Sequence, residues 1–372
     1  MSMPSLGGRR ELNSAIAPIL NSAASRSDLV TPAAELLNYP IRCFSSRIAT
    51  LRMNDRPFLS IVTATTGKFS QAWLTRLLTV QGPVEFVMVY PPGVQPRATD
   101  DRRVRALISP FRGEVLQRFT GLLNATGNYT IALDDDDFIH PDICALVQQF
   151  SQLFPDDWVL RLSIQNIPRQ HQSEIEAPWL PIPNLETITH TSNHQSSDQH
   201  STAHSLRPIP IAPLQNPINW MLAIFPFAQR RDHYGRHIEN FNNRVWKTDL
   251  LKVPLSDWSR VMKIYGNLYW LPSWSLDRAL GLFVQAFHFN PNIRWIGYSI
   301  QGPEQVRYIV GNTNPETQVK KINYRFHFSA DLLLAKRFPK YGYFWNLFFN
   351  GFYTAIKQYI KLLYAKLLSL RR

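Results

Sequence analysis

The sequence predicts an α/β domain built on a mostly parallel central sheet with helices on both faces. Three observations predict it. Apolar β-branched runs alternate with segments of helical period between residues 57 and 165. Turn residues punctuate each change of period. The chain is also apolar enough, 45% of its 372 residues, to cover a sheet from both sides.

The elements follow in order. "PFLSIVTATTG" is an apolar run bounded by Pro57 and Gly67 and reads as the first strand. "FSQAWLTRLLTVQ" spaces Trp73, Leu74, Leu77 and Leu78 as a helix, and "VEFVMVY" is a second strand closed by Pro91, Pro92 and Gly93. Together they form a βαβ unit. "EVLQRFTGLLNATG" reads as a helix stopped near Gly127, "YTIALDDDD" as a strand ending in four carboxylates, and "PDICALVQQFSQLF" as a helix with Pro141 in its first turn. In sheets of this kind ligands bind beyond the carboxyl ends of the strands, where Thr63–Thr66 and Asp134–Asp137 are expected to converge.

Composition divides the rest. Residues 1–56, rich in Ser, Ala and Arg, read as an N-terminal extension. Residues 168–217 hold half of the ten histidines among Gln, Ser, Asn and Pro; their irregular spacing, with no Cys nearby, favours a flexible insertion over a metal tract. Residues 218–335 regain globular character, with "YWLPSWSLDRALGLFVQAF" as the best helix candidate, and residues 336–372 form a tail. Cys43 and Cys144 lie too far apart for a zinc knuckle, which leaves a reducing compartment as the expectation.

The net charge of +13 is unevenly spread: the last forty-one residues carry eight basic groups and no acidic one. A duplex-binding body needs a basic stripe across its fold, and the near-neutral middle of this chain argues against nucleic acid. The tail places Phe349, Phe352, Ile356, Tyr359, Ile360, Leu363 and Leu367 on one helical stripe with most lysines off it. Such a helix suits an anionic membrane surface, or alternatively docks on the domain or on a second copy; the membrane is favoured. The expected location is cytoplasmic, peripheral on the membrane.

"IALDDDDFIHPD" is the strongest local signal. Four adjacent carboxylates at a strand end repel one another, and either a solvated turn or a cation relieves them. Hard oxygen donors at this density suit Mg²⁺ or Mn²⁺, which bridge to substrate phosphates.

The order "LSIVTATTG", helix, "VEFVMVY", "RFTGLLNATGNYTIALDDDDFIHPD" resembles the nucleotide-sugar-binding half of the inverting family 2 glycosyltransferases, which have the GT-A fold. The resemblance covers residues 57–150, more weakly to 335. It implies that residues 57–165 hold the donor and 218–335 the acceptor. It implies that Thr63, Ala64 and Thr65 lie against the base, and that Arg118 lies near the ribose or diphosphate. Asp134 and Asp136 are then the Asp-x-Asp pair, Asp134 facing the ribose or a metal-bound water and Asp136 binding the metal. Asp137 supports the metal, and Asp135 points away. Tyr90 stands where the family usually has an Asp that reads the base.

An inverting transfer needs a general base. The resemblance points to Asp277 at a helix start, although Leu276 stands where an acid usually precedes it; Asp277 otherwise only favours the helix dipole. Asp257 and Glu239 are the alternates. In "INYRFHFSA", His327 is implied as a metal or diphosphate contact and Arg325 as a partner of the leaving diphosphate, against a packed strand histidine. The expected activity is metal-dependent sugar transfer from a nucleotide-sugar, UDP-linked, to a glycan or lipid-linked acceptor. A nucleotidyl- or phosphotransferase, or a catalytically silent membrane-associated binding protein, are the alternatives.

Overall fold

The computed structural model describes residues 56–190, 205–225, 236–265, 273–311 and 327–369, with Ala228, Arg230 and Asp232. The chain divides into two compact units, Met1–Pro40 with Trp258–Leu268, and Ile41–Asp257 with Tyr269–Arg372. The first contributes only the end of one helix to the described residues. The described strands and all the other described helices belong to the second.

The expected βαβ unit forms. β1 (Leu59–Ala64) lies between β2 (Val84–Tyr90) and β4 (Tyr129–Ala132), parallel to both, and β3 (Val104–Ile108) extends the parallel set beyond β2. Burial on both faces explains why β1, β2 and β4 read as near-continuous apolar runs. Leu59 and Ile61 face α1 (Gln71–Leu77) and α3 (Ile143–Leu153) in one core with Phe86, Met88, Ile131, Trp73, Leu77, Val147 and Phe150. Val62 and Val89 face the other way, onto α2 (Glu114–Asn124). α1 starts where Ser70 Oγ accepts the Trp73 amide at 3.0 Å. α3 starts after Asp142, so Pro141 precedes the helix instead of occupying its first turn.

Beyond β4 the expectation of a mostly parallel sheet gives way to a mixed one. The nine-stranded order is β3-β2-β1-β4-β10-β6-β11-β9-β8, with β6 (Val159–Arg161), β8 (Thr189–His190), β9 (Ser205–Pro210), β10 (Arg244–Lys247) and β11 (Trp295–Gln301). β10 runs antiparallel to both β4 and β6, and β9 antiparallel to β11. After residue 165 strand and helix signals no longer alternate, so no crossover helix forces the strands into one direction. β9 also corrects the reading of residues 168–217 as a flexible insertion, because Ser205–Pro210 pairs within the sheet. A small second sheet joins β5 (Phe138–Ile139), β12 (Val306–Val310) and β7 (Ile164–Pro168), and α4 (Gln172–Glu176) follows β7.

The remaining helices are α5 (Trp220–Ile224), α6 (Asp249–Tyr265), α7 (Ser273–Phe287), α8 (His327–Arg337) and α9 (Gly342–Ser369). The start of the tail helix belongs to the core: Tyr343, Phe344 and Leu347 are buried, whereas most side chains from Phe352 onward are exposed. Among the described residues no helix is long and apolar enough to cross a membrane.

The approach of α2 to the sheet rests on Gly121. A Cβ there would meet Val62 Cγ1 at 2.3 Å and Val89 Cγ2 at 2.9 Å. Gly121→Ala is therefore expected to destabilise the chain by about 1–3 kcal/mol through overpacking, despite alanine's better helix propensity. Urea unfolding followed by circular dichroism measures it.

Candidate functional site

The Asp-rich run begins two residues after β4 ends, and each carboxylate meets a different partner. Asp134 pairs with the Arg118 guanidinium, which also bonds Glu114 at 2.6 Å. Asp135 accepts a hydrogen bond from Thr65 Oγ1 at 2.7 Å. Asp136, more exposed, pairs with Arg169 at 2.7 Å. Asp137 is only 1% exposed; its Oδ1 accepts the Ile309 amide of β12 at 2.9 Å, and its carbonyl accepts Trp73 Nε1 at 2.8 Å. Burial pushes Asp134 up to about 6, tempered by Arg118, and pushes Asp137 up to about 8, tempered by the Ile309 amide. Burial also raises Asp135 against the opposing Thr65 hydrogen bond.

The β1 loop is built around Thr65 and Gln117. The Thr65 hydroxyl, besides donating to Asp135, accepts the Gly67 amide at 2.9 Å. Gln117 of α2 donates to the Thr65 and Val89 carbonyls at 2.8 and 2.7 Å, fastening the ends of β1 and β2. Thr63 alternates onto the same face as Leu59 and Ile61, where its hydroxyl is buried without a hydrogen-bond partner. Ala64 is half-buried at the strand end. Tyr90 is buried in the core, and its hydroxyl accepts the Arg97 amide at 3.3 Å.

The antiparallel course of β10 brings a distant segment to this place. Because β10 starts where β4 ends, residues 241–243 lie beside the beginning of the acidic run, and the Asn243 amide donates to the Ala132 carbonyl at 3.3 Å. Asn243 has φ 54°, the left-handed region that Asn tolerates better than most non-glycine residues. Asp277 is the fifth residue of α7, not its first. Its Oδ1 accepts the Asn242 amide at 2.6 Å and the Phe241 amide at 3.1 Å. Burial raises its pKa, opposed by those amides and by the charges of Arg118 and Arg244. Arg118 thus acts electrostatically on Asp134 and Asp277 together.

The alternate acids are engaged elsewhere. Asp257 pairs with Arg337 at 2.8 Å. Glu239 accepts from the Tyr343 hydroxyl and pairs with Arg230 at 3.2 Å, with His237 at 3.7 Å and Arg278 at 3.9 Å; Arg278 also pairs with the buried Asp331. This cluster joins Arg230, His237 and Glu239 to α7, α8 and α9. Arg325 lies outside the described residues; His327 is the first residue of α8, in a helix and not a strand.

Among the described residues no group of three or more His, Cys, Asp or Glu side chains gathers as a metal site. The donor chemistry still fits Mn²⁺ or Mg²⁺, which bind through one or two carboxylates and complete their shell with water and substrate phosphate. Asp134 and Asp136 each have one oxygen bonded to an arginine, and among the described residues no hydrogen bond reaches the other. Asp137 Oδ2 is buried and has no partner among the described residues, an oxygen that a proton, a water or a cation can satisfy.

Sequence reasoning missed Arg169, Gln117 and Arg244. Nothing in "NIPRQHQ" marks Arg169 as an Asp136 partner, since the pairing spans β7 and the acidic run. It also missed a cavity of about 240 Å³ behind Asp137, lined by Trp73, Arg76, Phe138, Trp179 and Arg307 among others. Arg307 stacks 3.9 Å from the Trp179 ring and donates to the Ile175, Ala177 and Pro178 carbonyls, pinning that segment. The volume lies below the range of about 300–1,000 Å³ usual for small-molecule pockets.

No protein-family model and no curated protein matches the chain. Among solved structures it is similar to S. aureus TarS 1–349, at 14% identity and a TM-score of 0.40 over 76% of this chain and 65% of that one. It is also similar to the same protein in complex with UDP (15%, 0.39, over 75% and 64%) and with UDP-GlcNAc (13%, 0.41, over 75% and 66%). The chain thus spans just under two thirds of the solved chains it resembles.

Glu239 gives a pH test of the buried cluster. Burial alone would raise its pKa, but His237, Arg230, Tyr343 and Arg278 outweigh it and hold the carboxyl well below its ordinary value of 4.5. Its contribution to stability is therefore complete above about pH 4.5 and is lost as the pH falls further. Glu239→Gln is expected to cost about 1–3 kcal/mol at pH 7, because it removes a charge shared by Arg230, His237 and Arg278, while Asp232 and Asp331 still pair with the two arginines. Urea midpoints should show the gap to wild type narrowing between pH 4.5 and 3.

Proposed function

We propose that this chain is a metal-dependent inverting glycosyltransferase. In this reading it moves a sugar from a nucleotide-sugar, UDP-linked, to a hydroxyl of a glycan or lipid-linked acceptor. The observation that carries the proposal is the sharing of Arg118 by two acids far apart in sequence: Asp134 after β4, in ion-pair contact, and Asp277 in α7, within its electrostatic reach. Two carboxylates in different surroundings beside one cation suit a reaction that handles charge on one side and a proton on the other.

The roles then divide by position. Thr65, fixed between Asp135 and the Gly67 amide, and Ala64 at the end of β1 form the wall proposed to meet the base; Thr63 supports that wall from below. Arg118 is proposed to face the ribose or diphosphate, with Arg325 assisting as the diphosphate departs. Asp134 and Asp136 would hold Mn²⁺ or Mg²⁺, with Asp137 behind them and His327 as a further donor. The ion would supply positive charge against the departing diphosphate.

Asp277 is proposed as the base that takes the acceptor proton. The amides of Phe241 and Asn242 fix one of its oxygens and leave the other for the acceptor hydroxyl. A carboxylate raised by burial is a stronger base than a solvated one, which favours this assignment. The engagement of Glu239 and Asp257 in ion pairs favours Asp277 over the two alternates. The basic tail is proposed to hold the enzyme on an anionic membrane surface, on the cytoplasmic side.

Nucleotide release from a panel of nucleotide-sugars with Mn²⁺ tests the reading. One donor is expected to be bound and slowly hydrolysed without acceptor. Asp277→Asn should lower turnover by about 10²–10⁴-fold while leaving donor affinity nearly unchanged. Asp136→Asn should weaken Mn²⁺-dependent donor binding itself. Unchanged turnover in both variants would sink the proposal; loss in Asp136→Asn alone would point to a nucleotidyl- or phosphotransferase.

A further inference from the structure

The tail helix does not carry the only exposed apolar side chains near its own surface. α5 and the residue after it expose Trp220 at 62%, Met221 at 54%, Ile224 at 65% and Phe225 at 51%. Three large apolar side chains on one short helix and a fourth just after it are costly to leave in water, while Leu222 of the same helix is fully enclosed. The exposure is therefore a property of this face of α5 and not of a loosely attached segment.

Contacts fix α5 to α9. The Tyr353 hydroxyl of α9 donates to the Ala223 carbonyl, the Asn219 amide donates to Asn346 Oδ1 at 2.7 Å, and Asn346 Nδ2 donates to the Pro217 carbonyl at 3.2 Å. Tyr353 identifies the side of α9 that meets α5. From it, Ile356, Ile360, Leu363 and Leu367 follow at alternating three- and four-residue steps on that same side, and all four are exposed. α5 thus sits at the head of a stripe that continues along the helix, although 130 residues separate Ala223 from Tyr353 in sequence.

We infer that α5 with Phe225 and the exposed stripe of α9 form one composite interface that beds into an anionic lipid surface, α5 entering as a wedge beside the helix. The inference rests on the membrane part of the proposed function and is independent of its chemistry. Charge selects the occupant. The last forty-one residues carry eight basic groups and no acidic one, and Lys357 and Lys361 lie off the apolar stripe on the exposed helix. Pairing two copies across this face would bring like charges together, whereas anionic headgroups neutralise them. Trp220, Tyr359 and Tyr364 supply the amphipathic rings that settle at the level of lipid headgroups.

Vesicle cosedimentation with the full chain tests this, using neutral phosphatidylcholine vesicles and vesicles containing about 30% phosphatidylglycerol, a composition of the order that raises a surface potential. Wild type should bind the anionic vesicles and weaken with added salt. Trp220→Ser/Ile224→Ser should lose about tenfold or more in affinity, as should Ile360→Ser/Leu363→Ser, with unfolding midpoints and donor hydrolysis in solution unchanged. Acyl-chain-brominated lipid should quench tryptophan emission less in Trp220→Phe than in wild type. If Ile360→Ser/Leu363→Ser loses binding while Trp220→Ser/Ile224→Ser binds as wild type, the α5 wedge is overturned and the tail reading survives. If wild type binds no vesicles, or light scattering shows a dimer that Trp220→Ser/Ile224→Ser dissociates, both are overturned; nucleotide-sugar hydrolysis stands apart from either result.

Discussion

Four carboxylates in succession at the end of a buried strand repel one another, and the way they are separated organises the surrounding structure. Each is drawn to a different element: Asp134 to α2, Asp135 to the β1 loop, Asp136 to the segment after β7, and Asp137 to the amide of Ile309 in β12. The run therefore ties the large sheet to the small one. Trp73 closes the arrangement from α1 by donating to the Asp137 carbonyl. Repulsion within the run is offset by a set of directed contacts.

The second constraint is the reversal at β10. An antiparallel strand beside β4 begins at the carboxyl end of the parallel set, so the turn at Phe241–Asn243 delivers two amides to Asp277 next to the acidic run. Phe241 and Trp246 hold that turn, stacked 5.3 Å apart within 2° of parallel, with Trp246 Nε1 donating to the Phe241 carbonyl at 3.0 Å. Behind it, the Arg230, Glu239, Arg278 and Asp331 cluster fixes α7 against α8 and α9.

Most of the parallel half of the fold was legible in the sequence because its signal is local, both-face burial writing itself as continuous apolar runs; β3, which holds Arg105 and is only partly buried, was not. The mixed half was not. β10 is four residues long, and its direction is decided by partners distant in the chain. Likewise Ser205–Pro210 looks like loop composition yet pairs with β11; β8 covers only Ser205 and Leu206, so Pro208 and Pro210 face no strand on that side, where proline is tolerated. In the site, the acidic run, Arg118 and Asp277 were named from the sequence, while Arg169, Gln117 and Arg244 were not, since each acts through a residue on another element. Thr63 was a different case: period-two alternation from Leu59 and Ile61 already points its side chain into the core.

The central claim is that Asp134, Arg118 and Asp277 form one electrostatic site. Carboxyl carbon-13 NMR of aspartate-labelled protein, titrated in wild type and in Arg118→Gln, tests it most directly. With the guanidinium removed, both Asp134 and Asp277 should titrate at higher pH than in wild type, because Arg118 stabilises both charged forms. An upward shift in Asp134 with Asp277 unmoved would separate the two acids and contradict the account.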